Sequence, residues 1–76
     1  MTLNDLPIGG KGCVTSVHNQ NKELRRRILD MGITKGVIVE VKKISPLKDP
    51  VDIKVRGYEV CLRRDDLKQI EIEIVK

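Results

Sequence analysis

Short runs of alternating apolar and polar residues are the feature that most constrains this chain. Such runs lie at 13–18, 37–42, 51–56, 58–63 and 70–74. Alternation with a period of two indicates strands that bury one face and expose the other. Because each strand has only one apolar face, the strands must close on one another to bury it. The pattern therefore predicts about five short strands in a curled sheet.

Turn-forming residues separate these runs. Gly57 lies between the third and fourth runs and predicts a tight hairpin there. The segment 45–50 contains two prolines, which cannot donate strand hydrogen bonds, so we expect a loop. The segment 63–69 is typical of a single polar helical turn, with Asp65 or Asp66 as its cap.

One longer helix is expected over 22–31. Its apolar positions recur at helical spacing and predict a buried stripe formed by Leu24, Ile28 and Met31. Asn21 can accept hydrogen bonds from the free N–H groups of the first turn. Gly32 stands where a helix commonly ends in a left-handed residue.

Length and composition limit the fold to one small core. The chain has 76 residues, of which 39% are hydrophobic and 34% charged. A chain of this length buries about 60% of its unfolded surface. Tyr58 is the single aromatic residue, so the core must be aliphatic. Tyr58 is expected inside it beside Val60 and Leu62, with its hydroxyl able to reach the rim. We expect one domain over 1–76, mainly β, forming a small barrel of about five strands with one inserted helix.

Three consecutive arginines occupy the predicted helix. On a helical wheel Arg25, Arg26 and Arg27 fan out across roughly 200° and form no single basic face. Glu23 and Asp30 stand at ion-pair spacing from Arg27 and Arg26, whereas Arg25 has no acidic neighbour three or four residues away. The spacing favours a solvated helix face over a partner-binding face, and both over a nucleic-acid surface.

Residues suited to catalysis or to tight metal binding are sparse. His18 is the single histidine, and in a regular strand Cys13 would point to the opposite face. Cys61 lies in another strand and is expected to be exposed. No pair of nucleophile and base can be built, and the segment 9–12 lacks the spacing of a phosphate-binding loop. We expect no enzyme, no tightly bound cofactor and no closed metal site, while weak transition-metal binding through cysteines or carboxylates stays open.

The first residues, MTLNDLPIGGKG, show neither the basic nor the apolar region of a signal peptide. No apolar run approaches the about 18 residues that cross a bilayer. The two cysteines have no paired spacing. We therefore expect a reduced, soluble, cytoplasmic protein.

Two blocks of the sequence resemble the FeoA family, ferrous iron transport protein A. The first, LRRRILDMGITKG, matches a family pattern of two arginines, two aliphatics, an acid, Met-Gly and a closing glycine. The second, SPLKDPVDIKVRGYEVCLRRDD, matches a Pro-Leu-x-Asp-Pro loop and a hairpin with Arg-Gly-Tyr-Glu. The segment LPIGGKG fits the usual start. The chain departs from the pattern at Lys35, Lys48 and Cys61, where proline, glycine and a small polar residue are frequent.

The resemblance implies an SH3-like barrel and a cytosolic accessory or regulatory protein of ferrous-iron transport. The implied partner is the cytosolic GTP-binding domain of the transporter FeoB, without insertion into the membrane. The same fold resembles the C-terminal domain of iron-dependent transcriptional repressors. A nucleic-acid-binding or metal-dependent-repressor-type domain is therefore the alternative, although stacking aromatics are lacking.

Two segments are predicted to form a partner-binding surface. One is the helix edge at Arg25 and Leu29, because Leu29 lies near 140° on the wheel, far from the buried stripe. The other is the loop formed by Leu47, Lys48, Asp49 and Pro50. An apolar anchor beside a charged rim is typical of interfaces. For Leu29, packing under a neighbouring loop is the alternative.

Overall fold

The computed structural model describes residues 1–18 and 21–75. In chain order it contains a short 3-10 helix Leu3–Asp5, β1 Lys11–Val17, α1 Lys22–Asp30, β2 Ile38–Ile44, β3 Val51–Val55, β4 Tyr58–Leu62, α2 Arg64–Leu67 and β5 Ile70–Ile74. The strands form one antiparallel sheet in the order β4-β3-β2-β1-β5. The expected mainly β fold with five strands and one inserted helix is confirmed.

The core is built from aliphatic side chains on the inner face of this sheet and on the helices and turns that cover it. Bulges between Val14 and Ser16 in β1, and between Val41 and Lys43 in β2, interrupt the regular pairing. A bulge increases the local twist of a strand, so the sheet curls around the core. The buried apolar residues are Leu3, Leu6, Val14, Ile28, Ile33, Val39, Val41, Val51, Ile53, Val55, Leu62, Leu67, Ile70 and Ile72.

α1 begins where the sequence predicts. The Asn21 side-chain oxygen accepts hydrogen bonds from the backbone N–H groups of Glu23 at 3.0 Å and Leu24 at 3.3 Å. Ile28 is fully buried, while Leu24 and Met31 are half-buried against the core. The predicted stripe is therefore confirmed, with Ile28 at its centre and its two other members at the margin.

α2 differs from the prediction in how it begins. Its N-cap position is Arg63, which makes no side-chain capping bond. Asp49 of the β2–β3 loop supplies the missing acceptor, since its Oδ1 accepts from the Arg64 N–H at 3.0 Å. The prediction of Asp65 or Asp66 as the cap is thus wrong, because both lie inside the first turn.

Two side chains of the β3–β4 hairpin hold the C-terminal end of α1. The Tyr58 hydroxyl donates to the Met31 carbonyl oxygen. Arg56 donates through Nε to the Gly32 carbonyl oxygen at 3.2 Å and through Nη2 to the Thr34 hydroxyl at 3.2 Å. The last carbonyls of a helix lack partners within it, so the Tyr58 bond satisfies the carbonyl of Met31, the C-cap of α1. We call this arrangement of Arg56 and Tyr58 the helix clasp.

Tyr58 is consequently not a core residue, and that prediction is wrong. Its side chain is 44% exposed, although it shares the inner face of β4 with the buried Leu62. Tyr58 pairs with Val55 at the end of the strand next to the turn, so its ring lies at the rim of the sheet. A phenol at a rim can keep its ring against apolar neighbours while its hydroxyl reaches a polar partner.

Both the backbone conformation at Gly32 and the neighbouring helix clasp disfavour any larger residue at this position. Its φ is 88°, and an added Cβ would lie 2.9 Å from Tyr58 Oη and 3.1 Å from Arg56 Cδ. Gly36 has a similar φ of 91°, yet nothing lies within 4 Å of the same position.

We expect Gly36→Ala to lower the free energy of unfolding by about 1–2 kcal/mol, the cost of a left-handed residue. Gly32→Ala should lower it further, because the new methyl group displaces the clasp.

Urea unfolding of both variants measures this difference. In a Tyr58→Phe background, which removes the closest clasp atom, the excess cost of Gly32→Ala over Gly36→Ala should shrink. Equal losses for the two glycine variants in the unmodified background would show that the clasp does not restrict this turn.

Cys61 is exposed, as predicted, and faces Asp52 across the β3–β4 pair. Desolvation, a hydrogen bond with the Asp52 carboxylate and the charge of that carboxylate raise the pKa of the Cys61 thiol. The thiolate is the form that reacts with maleimide. In a Cys13→Ser background in dilute solution, we therefore expect labelling without denaturant, slower at neutral pH than in the unfolded chain and still accelerating at alkaline pH.

Asp52→Asn should speed this labelling at neutral pH, because it removes the negative charge that disfavours the thiolate. Labelling rates followed by mass spectrometry across a pH series provide the measurement. Modification that occurs only after unfolding would contradict the assignment of Cys61 to the outer face.

Candidate partner-binding surface

The β2–β3 loop is fastened to two other segments by one arginine. Arg64 Nε donates to the Lys48 carbonyl oxygen at 2.6 Å, beside the bond between the Arg64 N–H and Asp49. Arg64 Nη1 also donates to the Asn4 carbonyl oxygen at 3.4 Å and to its side-chain oxygen at 3.2 Å. Within the loop, the Lys48 N–H donates to the Ser45 carbonyl oxygen at 2.7 Å. The loop is thereby held in one conformation.

This conformation presents Leu47 to solvent. Leu47 is 89% exposed, the largest exposed fraction among the exposed large hydrophobic side chains of the described residues. Lys48 is also exposed, whereas Asp49 and Pro50 are half-buried. Of the four predicted loop residues, Leu47 and Lys48 are thus available to a partner, and Asp49 serves the structure by capping α2.

The predicted helix edge is also accessible. Leu29 is 37% exposed and Arg25 is exposed one turn before it. Among residues 1–18 and 21–75, Arg25 makes no ion pair within 4.0 Å. An apolar side chain and a free cation therefore lie side by side on α1.

The ion pairs predicted within α1 are wrong. Arg27 pairs with Asp66 of α2 at 4.0 Å instead of with Glu23, and within the described part of the chain Arg26 and Asp30 form no pair. The Asp66 side chain is only 11% exposed, so an ion pair there is less screened by water than one along the open helix surface. This contact links α1 to α2.

α2 thus connects the two predicted walls of the surface. Arg64 binds the loop, and Asp66, two residues later, binds α1. We call the exposed residues on either side, Arg25, Leu29, Leu47 and Lys48, the α1–loop surface. Sequence reasoning missed Arg64, because its partners Asn4 and Lys48 are distant in sequence and no local pattern indicates them.

Across the described residues, no three or more histidine, cysteine, aspartate or glutamate side chains lie close enough to hold a metal ion. An open depression of about 290 Å³ beside the first turn of α1 is lined by Asn21, Glu23, Leu24 and Arg27. In the same part of the chain, no helix has the length and apolar character needed to cross a membrane.

Comparison with known proteins places this geometry in a family. Residues 1–74 match the family model described as the FeoA domain. A Porphyromonas gingivalis protein described as an Fe(2+) transport protein A/Fe(2+) transporter FeoB fusion protein is 36% identical over 75 residues. The match covers 99% of this chain and 9% of that protein, so the chain spans about a tenth of its relative's length.

Solved structures show the same fold. The FeoA-like protein from Clostridium acetobutylicum is 32% identical, with a TM-score of 0.91 over 100% of this chain and 87% of that one. FeoA from Stenotrophomonas maltophilia, described as a prokaryotic SH3 domain protein complexed with zinc, is 28% identical. Its TM-score is 0.85 over 96% of this chain and 89% of that one. The five-stranded sheet is therefore SH3-like, and the chain belongs to the FeoA family of ferrous iron transport domains.

Proposed function

We propose that this domain is a cytoplasmic accessory protein that regulates ferrous-iron transport by docking onto the GTP-binding domain of a FeoB-type transporter. The Porphyromonas gingivalis relative supports this proposal, because it is described as carrying FeoA and FeoB in one chain. Joining two domains in one chain raises the effective concentration of each near the other, which favours an interaction between them. A separate domain must supply that affinity through its own surface.

The observation that carries the proposal is the exposed Leu47 on a loop that Arg64 holds in place. Ordering a mobile loop on binding costs free energy, and a loop that is already fixed avoids this cost. Apolar anchors in such positions dominate the energy of many interfaces. Leu47 is therefore the central contact, and Leu29 of α1 adds apolar area.

Exposed basic residues occur on the same two segments as these apolar side chains. Arg25 and Lys48 are both exposed, and Arg26 is exposed on the same helix. Charges at the rim of an interface mainly steer association and select partners. The complementary surface on the transporter should therefore carry acidic residues around an apolar pocket.

A nucleic-acid-binding or metal-dependent-repressor-type domain is the alternative function, supported by the net charge of +4. One contact weighs against it, because Arg27 is engaged with Asp66 and is less available to a phosphate. A salt titration separates the two functions, because phosphate contacts give a log-log slope of about −0.9 for each phosphate neutralised. Weak transition-metal binding remains compatible with either role.

Docking through the α1–loop surface predicts a specific loss of affinity. Leu47→Ala removes the apolar anchor and should weaken binding to the isolated transporter GTP-binding domain about tenfold or more, as for a typical interface hot spot. Arg25→Glu places a negative charge at the basic rim and should weaken binding mainly by slowing association. Calorimetry and stopped-flow measurements on folded protein test both effects.

Matched substitutions elsewhere control for unspecific effects. Ile8→Ala truncates an apolar side chain that is 61% exposed on a different turn. Lys43→Glu reverses an exposed charge on the outer face of β2. Neither control should change affinity by more than a factor of two or so. Unchanged affinity in both Leu47→Ala and Arg25→Glu, at unchanged melting temperature, would exclude this surface.

A further inference from the structure

The outer edge of β4 exposes backbone groups that the sheet does not use. The Val41 N–H donates to the Gly10 carbonyl oxygen at 3.0 Å, so Val41 bonds toward β1. Backbone groups of successive residues in a strand point in opposite directions, so Glu40 bonds toward Lys54 of β3. By the same alternation Ile53 of β3 bonds toward β4, where it faces Val60.

The direction of the remaining β4 groups follows from this alternation. Val60 bonds inward to β3, so the N–H and carbonyl groups of Glu59 and Cys61 point away from the sheet. No backbone partner for either residue is found among residues 1–18 and 21–75. An uncovered strand edge of this kind is a template for pairing with another strand.

The opposite edge of the sheet is covered. The Ile72 N–H of β5 donates to the Met1 carbonyl oxygen at 2.9 Å, and Thr2 forms a bridge with Glu71. The outer edge of β5 therefore has backbone hydrogen-bond partners in the N-terminal residues. Of the two edges, β4 is the one left open in the described part of the chain.

The outer face of the sheet carries a row of alternating charges that ends at this edge. The cross-strand partners in this row are Lys11 of β1, Glu40 of β2, Lys54 of β3 and Glu59 of β4. Opposite charges placed directly across a strand pair are favourable, and like charges are unfavourable. A further strand beyond β4 would continue the row if it placed a positive charge opposite Glu59.

Arg63, the residue that follows β4 and caps α2, provides that charge. Arg63 lies four residues after Glu59, is exposed, and continues the extended backbone with φ −78° and ψ 154°. Residues two apart in an extended strand share a face, so Arg63 lies on the outer face with Cys61. Cys61 stands midway between the two charges. An antiparallel copy of the same strand, centred on Cys61, would set each Glu59 opposite an Arg63.

We propose that the edge of β4 is a homodimer interface, in which two copies pair β4 with β4 antiparallel about a two-fold axis at Cys61. Each copy contributes Glu59 opposite Arg63 of the other copy, and the two Cys61 residues face each other. The pairing joins two five-stranded sheets into one continuous sheet of ten strands, with the charge rows of both copies running across the junction.

Other registers of this pairing are less favourable. Pairing that uses the outward backbone groups sets residues 59, 61 and 63 opposite one another. The Arg63 carbonyl oxygen already accepts from the N–H groups of Asp66 and Leu67, so the bonds between copies come from both Cys61 groups, the Arg63 N–H and the Glu59 carbonyl oxygen. A register centred on Glu59 opposes two glutamates, and one centred on Arg63 opposes two arginines, which is repulsive. Registers centred on Val60 or Leu62 place Cys61 opposite a charged residue and form no opposite-charge pair between Glu59 and Arg63. The arrangement centred on Cys61 is the register that the charges select.

Thiol cross-linking tests this register directly. Residues in a hydrogen-bonded antiparallel pair have Cα atoms about 5.5 Å apart. In a Cys13→Ser background, a short bismaleimide should therefore join two copies through Cys61, with a yield that rises with protein concentration. The Cys61→Ser variant, which keeps Cys13, should give no such product.

Charge reversal tests the proposed pairing in the full chain. Glu59→Arg and Arg63→Glu, each alone, oppose like charges twice in the dimer and should weaken dimerisation at least about tenfold in sedimentation equilibrium. The double variant Glu59→Arg/Arg63→Glu restores both pairs in swapped order and should recover most of the affinity. Glu73→Arg, an exposed charge reversal in β5, is the matched control and should leave dimerisation unchanged. Melting temperatures show that each variant is folded.

The results of these experiments either support the homodimer or overturn it. A concentration-dependent dimer that cross-links through Cys61 and recovers in the double variant supports the proposal. A protein that stays monomeric at the highest soluble concentration overturns it, as does a dimer unaffected by either single reversal. If the protein stays monomeric and Glu59→Arg weakens only transporter binding, the β4 edge receives a strand from the transporter and the homodimer proposal is wrong.

Discussion

The helix clasp is the interaction on which the arrangement of the other elements depends. α1 buries mainly Ile28 against the core and carries four basic residues, Lys22 and Arg25 to Arg27, so its apolar contact alone is small. Arg56 and Tyr58 add directional bonds to its last carbonyls and to Thr34. Because the clasp residues belong to the β3–β4 hairpin, the orientation of α1 is set by the sheet. The exposed side of the helix, with Arg25 and Leu29, is thereby held in a defined position.

Some arginines of this domain hold segments of the fold together, and others are exposed and can contact a partner. Arg56 and Arg64 bind backbone oxygens in segments distant in sequence, and Arg27 pairs with Asp66. A guanidinium group offers several donors in a fixed plane, which suits it to bridging loop carbonyls in a small domain with few large side chains. Among the described residues, Arg25 makes no ion pair. A basic cluster in the sequence therefore does not by itself indicate a surface for phosphate.

The surfaces left open by the fold suggest two separate uses. The α1–loop surface combines an apolar anchor with a basic rim and suits a protein partner of opposite charge. The edge of β4 offers backbone groups flanked by Glu59 and Arg63 and suits a copy of itself. The two regions use different residues. Regulation of a transporter and self-association can therefore be examined independently in this small domain.

The sequence by itself determined the elements whose signals are local. Alternation placed the buried faces of β2 and β3, Asn21 marked the start of α1, and Gly32 and Gly57 marked turns that need positive φ. Only the tertiary structure decided the roles of the long polar side chains. Tyr58 reaches a residue 27 positions away, and Arg64 reaches one 60 positions away. A periodic pattern reports which face a side chain occupies, but its place at the rim and its bonding partner depend on how the sheet curls.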